Sequence, residues 1–564
     1  KCWRKAVLAG ALCLSMITGI LSGMSELRKA KADPEEGQQS YLEESWGFHI
    51  WIGGVVFSSP NRAYPDGNME IDSADNTENK KFDGTAKLVV DDTGATTKYT
   101  LTLDNFMSNG AGEVFAREDL ATIRVLSNYH NDGITGAAII CDCDGDLEIV
   151  LKGESKITAE KYECGLFCSE NVKSVTISTA EDCENASLQV SGGHSEFNKT
   201  AKPIACGIFA DCPLVMKSGT VEANALSAEE VKTDSVSYTT YGVNCKKDIT
   251  IFGGSLTGTA YKTLSKDYAV CNYGVRCGGS ISAREGSGKL TGVGNDTSVP
   301  TIGDDTDPDE KAAILTRART SDSYGVYCLG TITMKSGEIK GIGGESVGES
   351  FGVGIMNEEG EDIIIGGTGK LTACGGTTGQ NGSSYGLRIR KYSGKEENNS
   401  VIVKESGMID GKGGISEFDS FGIHVTKTDL CIEVNALGGV SGEGGRADQF
   451  SRGIDWEGLI TVNGGKLIGQ GGSGTNDQSQ NLGIHIYGDL QLNGGIVTAK
   501  AYGVEAADSL NPELVGYGTH GLECFGDISI NGGVFNAVAY SGEKYRGSAV
   551  SGDVVKSIGG RGWQ

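Results

Sequence analysis

One phrase recurs along most of the chain: a residue that is often aromatic, then glycine, an aliphatic residue, any residue, and a small or aliphatic residue. It reads Cys164-Gly165-Leu166-Phe167-Cys168, Cys206-Gly207-Ile208-Phe209-Ala210, Tyr241-Gly242-Val243-Asn244-Cys245, Tyr273-Gly274-Val275-Arg276-Cys277, Tyr324-Gly325-Val326-Tyr327-Cys328 and Phe351-Gly352-Val353-Gly354-Ile355. It continues at Tyr385-Gly386-Leu387-Arg388-Ile389 and Phe421-Gly422-Ile423-His424-Val425, then in shorter form at Gly453-Ile454-Asp455-Trp456, Gly483-Ile484-His485-Ile486, Gly503-Val504-Glu505-Ala506 and Gly521-Leu522-Glu523-Cys524. From Gly165 to Gly521 this is 356 residues in 11 intervals, a mean of about 32. A fixed period of that size is the mark of a solenoid, in which each unit has an apolar slice that only the next can cover.

Within a unit the phrase is followed by a short alternating strand such as Ile249-Thr250-Ile251, Ile332-Thr333-Met334, Ile460-Thr461-Val462 or Ile528-Ser529-Ile530. A glycine turn leads to a third strand whose aliphatic positions include Leu256, Leu290, Ile339, Leu371, Ile409, Leu467, Val497 and Phe535. Three period-2 strands per unit, glycine at the corners and no helical periodicity predict an all-β, right-handed parallel β-helix of about a dozen three-strand coils. Corner glycines suit positive φ, and Asn435, Asn463, Asn493 and Asn531 recur where side-chain amides can stack as a ladder.

The domains expected are a signal peptide over 1–32, a β lead-in over 33–136 that covers the first coil, the β-helix over 137–540, and a Ser/Gly-rich tail over 541–564. Lys1, Arg4 and Lys5 precede an apolar run to about Gly23, and Ala30-Lys31-Ala32 offers a small-x-small cleavage site. An uncleaved anchor is the alternative, because the run approaches the length of a membrane span. The chain begins without methionine and its tail carries no apolar cap, so the reading frame is expected to extend further. The mature protein is expected outside the cell or at its surface, monomeric and with no membrane span.

Charge narrows the partners. Lys plus Arg number 49 against 74 Asp plus Glu, a net charge of −25, which opposes binding to nucleic acid. The sixteen cysteines do not make a disulfide scaffold of a chain of 564 residues, and no paired Cys-x-x-Cys motif supports zinc. Cys168, Cys245, Cys277, Cys328 and Cys524 fall where other coils carry Ile355, Ile389, Val425 and Ile486, so they read as small buried hydrophobes with free thiols.

The outward columns differ. The second strand presents Thr250, Thr333, Thr461, Gln491 and Ser529, an ordinary solvated face, whereas the first presents Phe167, Phe209, Asn244, Arg276, Tyr327, Gly354, Arg388, His424, Asp455, His485, Glu505 and Glu523. Coils rise about 4.8 Å each, so aromatic rings and hydrogen-bonding groups would recur at about half to one sugar ring per step. Phe167, Phe209, Arg276, Tyr327, Arg388, His424, Asp455 and His485 are therefore the candidate carbohydrate-binding residues. His424, Asp455 and His485 also invite a metal reading, but the outer two would be about 9–10 Å apart at the backbone, wide for one ion. Asp305, Asp307 and Asp309 alternate in an acidic insertion and are the candidate calcium ligands; no other cofactor is expected. Asp142, Asp144 and Asp146 alternate similarly but read as strand-end polarity.

The runs Ile460-Thr461-Val462-Asn463-Gly464-Gly465 and Ile528-Ser529-Ile530-Asn531-Gly532-Gly533, their Tyr-Gly-Val partners and the lead-in Trp51-Ile52-Gly53-Gly54-Val55 resemble secreted bacterial β-helix proteins described as carbohydrate-binding-domain proteins. That group is related to the pectate-lyase-like superfamily, and the resemblance covers most of the chain beyond Gly136. It implies an extracellular, non-catalytic protein that binds a polysaccharide or cell-surface glycan along one face. No catalytic carboxylate pair or calcium-plus-arginine cluster stands out, yet the same fold hosts lyases and hydrolases as well as structural stalks and protein-binding adhesins, and these remain the alternatives.

Overall fold

In the computed structural model the described residues run from 49 to 557, except 53–54, 59–67, 72–81, 109–133, 135, 160–162, 184, 194–203, 227–236, 262–268, 298–320, 359, 380–381, 392–398, 435–437, 475–478, 503–518, 540–546 and 552–553. The expected signal peptide, Asn435, the 503–506 copy of the phrase and the Asp305, Asp307 and Asp309 insertion lie outside them.

Among the described residues every regular element is a strand, and from Ala137 onward the strands stack in parallel, each on its counterpart one coil away. The phrase forms the first sheet, of 15 strands, in which Cys164–Cys168, Ile204–Ala210, Ser237–Cys245, Ala269–Cys277, Asp322–Cys328 and Ser350–Ile355 succeed one another. Ser384–Ile389, Asp419–Val425, Phe450–Trp456, Gln480–Ile486 and Thr519–Cys524 continue it. The short alternating strands build a second sheet, and those such as Ser255–Thr259 and Glu338–Ile342 a third, which joins the second at Lys98–Ser108, paired with both Asp146–Lys152 and Glu154–Ala159. The β-helix expectation therefore holds. Its start is covered by antiparallel strands: Phe82–Asp91 pairs with Lys98–Ser108, whose residues 98–104 pair in parallel with Asp146–Lys152, and His49–Ile52 pairs with Ala137–Cys141.

The core is one continuous column of inward side chains. Leu256, Leu290, Ile339, Leu371, Ile409, Leu467 and Val497 are almost wholly excluded from water, as are their partners from the other two sheets. Stacking like on like explains why each position recurs: an aliphatic side chain meets the same kind of side chain above and below it.

The glycines do two separate jobs. Positive φ recurs in the turn between the second and third strands, as at Gly254 (69°), Gly337 (79°), Gly465 (67°) and Gly495 (81°). The phrase glycines are needed for close approach instead. A Cβ on Gly325 would lie 2.2 Å from the Ile342 nitrogen, and one on Gly341 would lie 2.0 Å from the Gly352 carbonyl oxygen, so two glycine columns let the third sheet close against the first.

The cysteine column also stands. Cys168, Cys245, Cys277, Cys328 and Cys524 share one register with Ile355, Ile389, Val425 and Ile486, and all are buried and free of disulfides. Their thiols add something aliphatic groups cannot supply. Cys277 Sγ donates to the Lys247 carbonyl (3.2 Å), Cys328 Sγ to Gly279 (3.3 Å) and Cys524 Sγ to Gly488 (3.3 Å), carbonyls of the turn in the preceding coil. Trp456, in the same column, does this with its indole N–H to Thr428 at 2.6 Å. The asparagine ladder forms as well, Asn531 Nδ2 donating to Asn493 Oδ1 and Asn493 Nδ2 to Asn463 Oδ1, both at 2.8 Å.

Candidate functional site: the outer face of the first sheet

The register of the first sheet is continuous from Ile140 through Phe167, Phe209, Asn244, Arg276, Tyr327, Gly354, Arg388, His424, Asp455 and His485 to Glu523. Gln480–Ile486 pairs directly with Thr519–Cys524. That pairing sets Glu523 beside His485, which the sequence reading had separated by Glu505.

The aromatic residues that open the phrase form a ladder along this face. Tyr241, Tyr273, Tyr324, Phe351, Tyr385 and Phe421 stack with centroids 4.5–5.3 Å apart and planes within 14°. Each inner ring has both faces covered by neighbours, so the ladder offers edges rather than stacking surfaces. The outward column packs on its flank. Tyr327 meets Tyr324 edge-on at 5.1 Å, the Arg388 guanidinium lies 4.3 Å from the Tyr385 ring centre, and His424 tilts against Phe421 at 4.9 Å.

Several candidate side chains are therefore not laid open to solvent. Phe167 and Phe209 are buried, stack on each other at 5.5 Å in a small outer cluster with Ile140 and Cys206, and have the Lys246 ammonium over the Phe209 ring at 5.3 Å. Arg388 is only 8% exposed and is paired with Glu349 at 2.9 Å. Arg276 and Tyr327 are half-buried, with Arg276 donating to Asn244 Oδ1 at 3.3 Å.

Along one border the loops that precede the first strands are ordered by a serine column. Ser350 Oγ donates to the Gly344 carbonyl and accepts from Gly376 N–H, both at 2.8 Å, and Ser384, Ser420 and Ser451 repeat this clasp. Single bridges Ser346–Thr378–Ser416–Ala447–Gly474 add a fourth ladder beside it. This is why Ser and Gly, ordinary loop residues, give a regular wall here.

Asp455 is the hub of the face. Its Oδ2 lies 2.7 Å from His424 Nδ1, and its Oδ1 lies 2.5 Å from His485 Nδ1 and 2.8 Å from Arg452 Nη1. Burial works to raise its pKa, but the hydrogen bonds to His424 and His485 and the Arg452 charge outweigh it and hold the carboxyl well below the usual range. Arg452 occupies the ladder slot that follows Phe421 and stacks on Phe450 at 4.5 Å. Both imidazoles thus turn their Nδ1 atoms to one carboxylate, and among the described residues no group of three or more His, Cys, Asp and Glu is placed to share a metal ion. Asp142, Asp144 and Asp146 accept from Asn171, Tyr99 and Ser174 at 2.9, 2.6 and 2.7 Å, which fits strand-end polarity.

The open part of the face lies just past this hub. Tyr487 (53% exposed) and Phe525 (66%) directly follow consecutive strands and stack on each other at 5.6 Å and 11°. His485 stands edge-on to both, 4.4 and 5.6 Å away, and its Nε2 lies 3.6 Å from Glu523 Oε2. Sequence reading missed this pair. The signal was present in Tyr487-Gly488-Asp489 and Phe525-Gly526-Asp527, which place an aromatic residue at the same offset in both turns.

No helix of the described residues is long and apolar enough to cross a membrane. No family model, curated protein or solved structure matches the chain.

Proposed function

We propose that this is an extracellular polysaccharide-binding protein that holds a glycan on the outer face of the first sheet, at the coils that carry His424, Asp455, His485 and Glu523, without cleaving it. The observation that carries the reading is the exposed Tyr487–Phe525 stack, packed edge-on against His485 of the outward column. Large aromatic rings left in water at two successive turns have no part in the core, and aromatic surface beside imidazole and carboxylate groups is what binds the apolar faces and hydroxyls of a sugar. The buried network supports the pair: Asp455, engaged by three donors, fixes His485, and His485 fixes the two rings.

A glycan array followed by product analysis tests this reading. Retention of a polysaccharide with no new reducing ends or unsaturated products is the expected result. Products would make the protein a hydrolase or lyase of the same fold, and no retained glycan would leave a structural stalk.

A further inference from the structure

The turns around the aromatic pair have a single sign of charge. Between the first and second strands of the coils that begin at Phe450, Gln480 and Thr519 the charged residues are Glu457, Asp489 and Asp527, and the outward column adds Glu523, which Ser551 follows in register. Arg452, on the same face, is 8% exposed and bound to Asp455. Asp489 Oδ1 accepts the Asp527 N–H at 2.8 Å. Glu523 differs: among the described residues its carboxylate accepts no hydrogen bond, and His485 Nε2 stands 3.6 Å from its Oε2. A half-buried carboxylate with acceptor capacity left over therefore stands next to two exposed rings. Farther along the same sheet the signs are mixed, with Lys246 and Lys247 in one turn and Arg390 and Lys391 after another.

We infer that the Tyr487–Phe525 subsite selects a sugar carrying a protonated amine, a glucosamine-type residue of a polysaccharide, over neutral and uronic acid sugars. The rings take the apolar face of the pyranose, and the Glu523 carboxylate accepts from its ammonium group, a charge-assisted bond that an N-acetylated sugar cannot make. A uronate would bring a second carboxylate to a turn cluster that is already acidic. This inference rests on the polysaccharide-binding reading and narrows it.

The test compares three probes on the full chain at mildly acidic pH and low salt: a glucosamine hexamer, its fully N-acetylated form and an oligogalacturonate. The expected result is that the glucosamine hexamer binds at least about tenfold more tightly than the other two, that this preference shrinks as salt rises, and that Glu523→Gln removes it while the thermal unfolding curve stays in place. Equal binding of the amine and N-acetyl forms, or tighter binding of the uronate, overturns the inference and leaves the polysaccharide reading standing. So does a preference that survives in Glu523→Gln. Absence of binding to all three probes, with other glycans retained on an array, overturns the inference alone; absence of any glycan binding overturns both.

Discussion

Asp455 Oδ1 lies 2.5 Å from His485 Nδ1 although 30 residues separate the two in sequence. The solenoid makes this contact local, because one coil of chain returns to a point a single strand spacing away. With Arg452 and His424 on the same carboxylate, the contact is a buried charged network. Asp455→Ala would leave the Arg452 guanidinium buried beside two imidazoles without its counter-charge. The expected cost is about 3–5 kcal/mol, seen as loss of amide protection in the coils around 450–486. Tyr487→Ala should change stability by less than about 1 kcal/mol, since its ring is mostly in water. Equal effects of the two substitutions would contradict the hub.

The close approach of the glycine columns gives a sharper contrast. Gly352→Ala places a Cβ 2.2 Å from the Cys374 nitrogen, whereas Gly354→Ala, two residues on, meets side chains alone, the Tyr327 ring at 3.3 Å and the Tyr324 ring at 3.7 Å. Backbone cannot move aside as a side chain can. Gly352→Ala should cost several times what Gly354→Ala costs, with about 3 kcal/mol or more for the first, measured by thermal or denaturant unfolding. Comparable midpoints for the two variants would refute the interlock.

For the cysteine column, burial pushes the Cys245 thiol well above the ordinary range, and a hydrogen bond with the Cys328 thiol together with burial does the same for Cys277, so at neutral pH both stay protonated and inert. Thiol titration should show them silent in the native protein and fully reactive after denaturation without reductant. Silence in the denatured protein would mean disulfides and would remove the column argument.

Two acids give a pH dependence. Burial raises Asp419 and Asp322 to about 6 from 3.8, more than the nearby donors and the Arg452 and Arg388 charges lower them. The native state then binds more protons than the unfolded state between about 4 and about 6, so on their account stability falls as pH rises through that window and is level above it. Asp455 works in the opposite direction: its stabilisation is full above 3.8 and is lost as pH falls below that value. Asp419→Asn should therefore be more favourable at pH 7 than at pH 4, by on the order of 1–3 kcal/mol. A smaller unfolding free energy change at pH 7 than at pH 4, relative to the parent protein, would contradict the assignment.

The register of the fold was legible because it is written in repetition. Leu166, Ile208 and Val243 announce one inward column and Cys245, Cys277 and Cys328 another, and the strands pair as those alignments require. The outward column was legible in order but not in exposure. Nothing local in Gly207-Ile208-Phe209-Ala210 tells that other parts of the chain bury Phe209, and Arg388 looks free until the aromatic ladder and Glu349 are placed around it. Its replacement by alanine is accordingly expected to lower stability as well as any affinity. Glu523 was set one coil too far from His485 because Gly503-Val504 imitates the phrase, whereas Gln480–Ile486 pairs directly with Thr519–Cys524. Tyr487 and Phe525 escaped notice because they fall one position past the phrase, in the turn.

Where a glycan binds on this solenoid decides its function. Affinity electrophoresis in the polysaccharide retained best by the parent protein, comparing Tyr487→Ala/Phe525→Ala with Thr333→Ala/Thr461→Ala on the second sheet, tests this most directly. The predicted result is a loss of retardation equivalent to roughly 1–3 kcal/mol in the first variant and none in the second, with matching unfolding curves. Equal retardation of both variants would contradict the claim that the first sheet's outer face is the binding face.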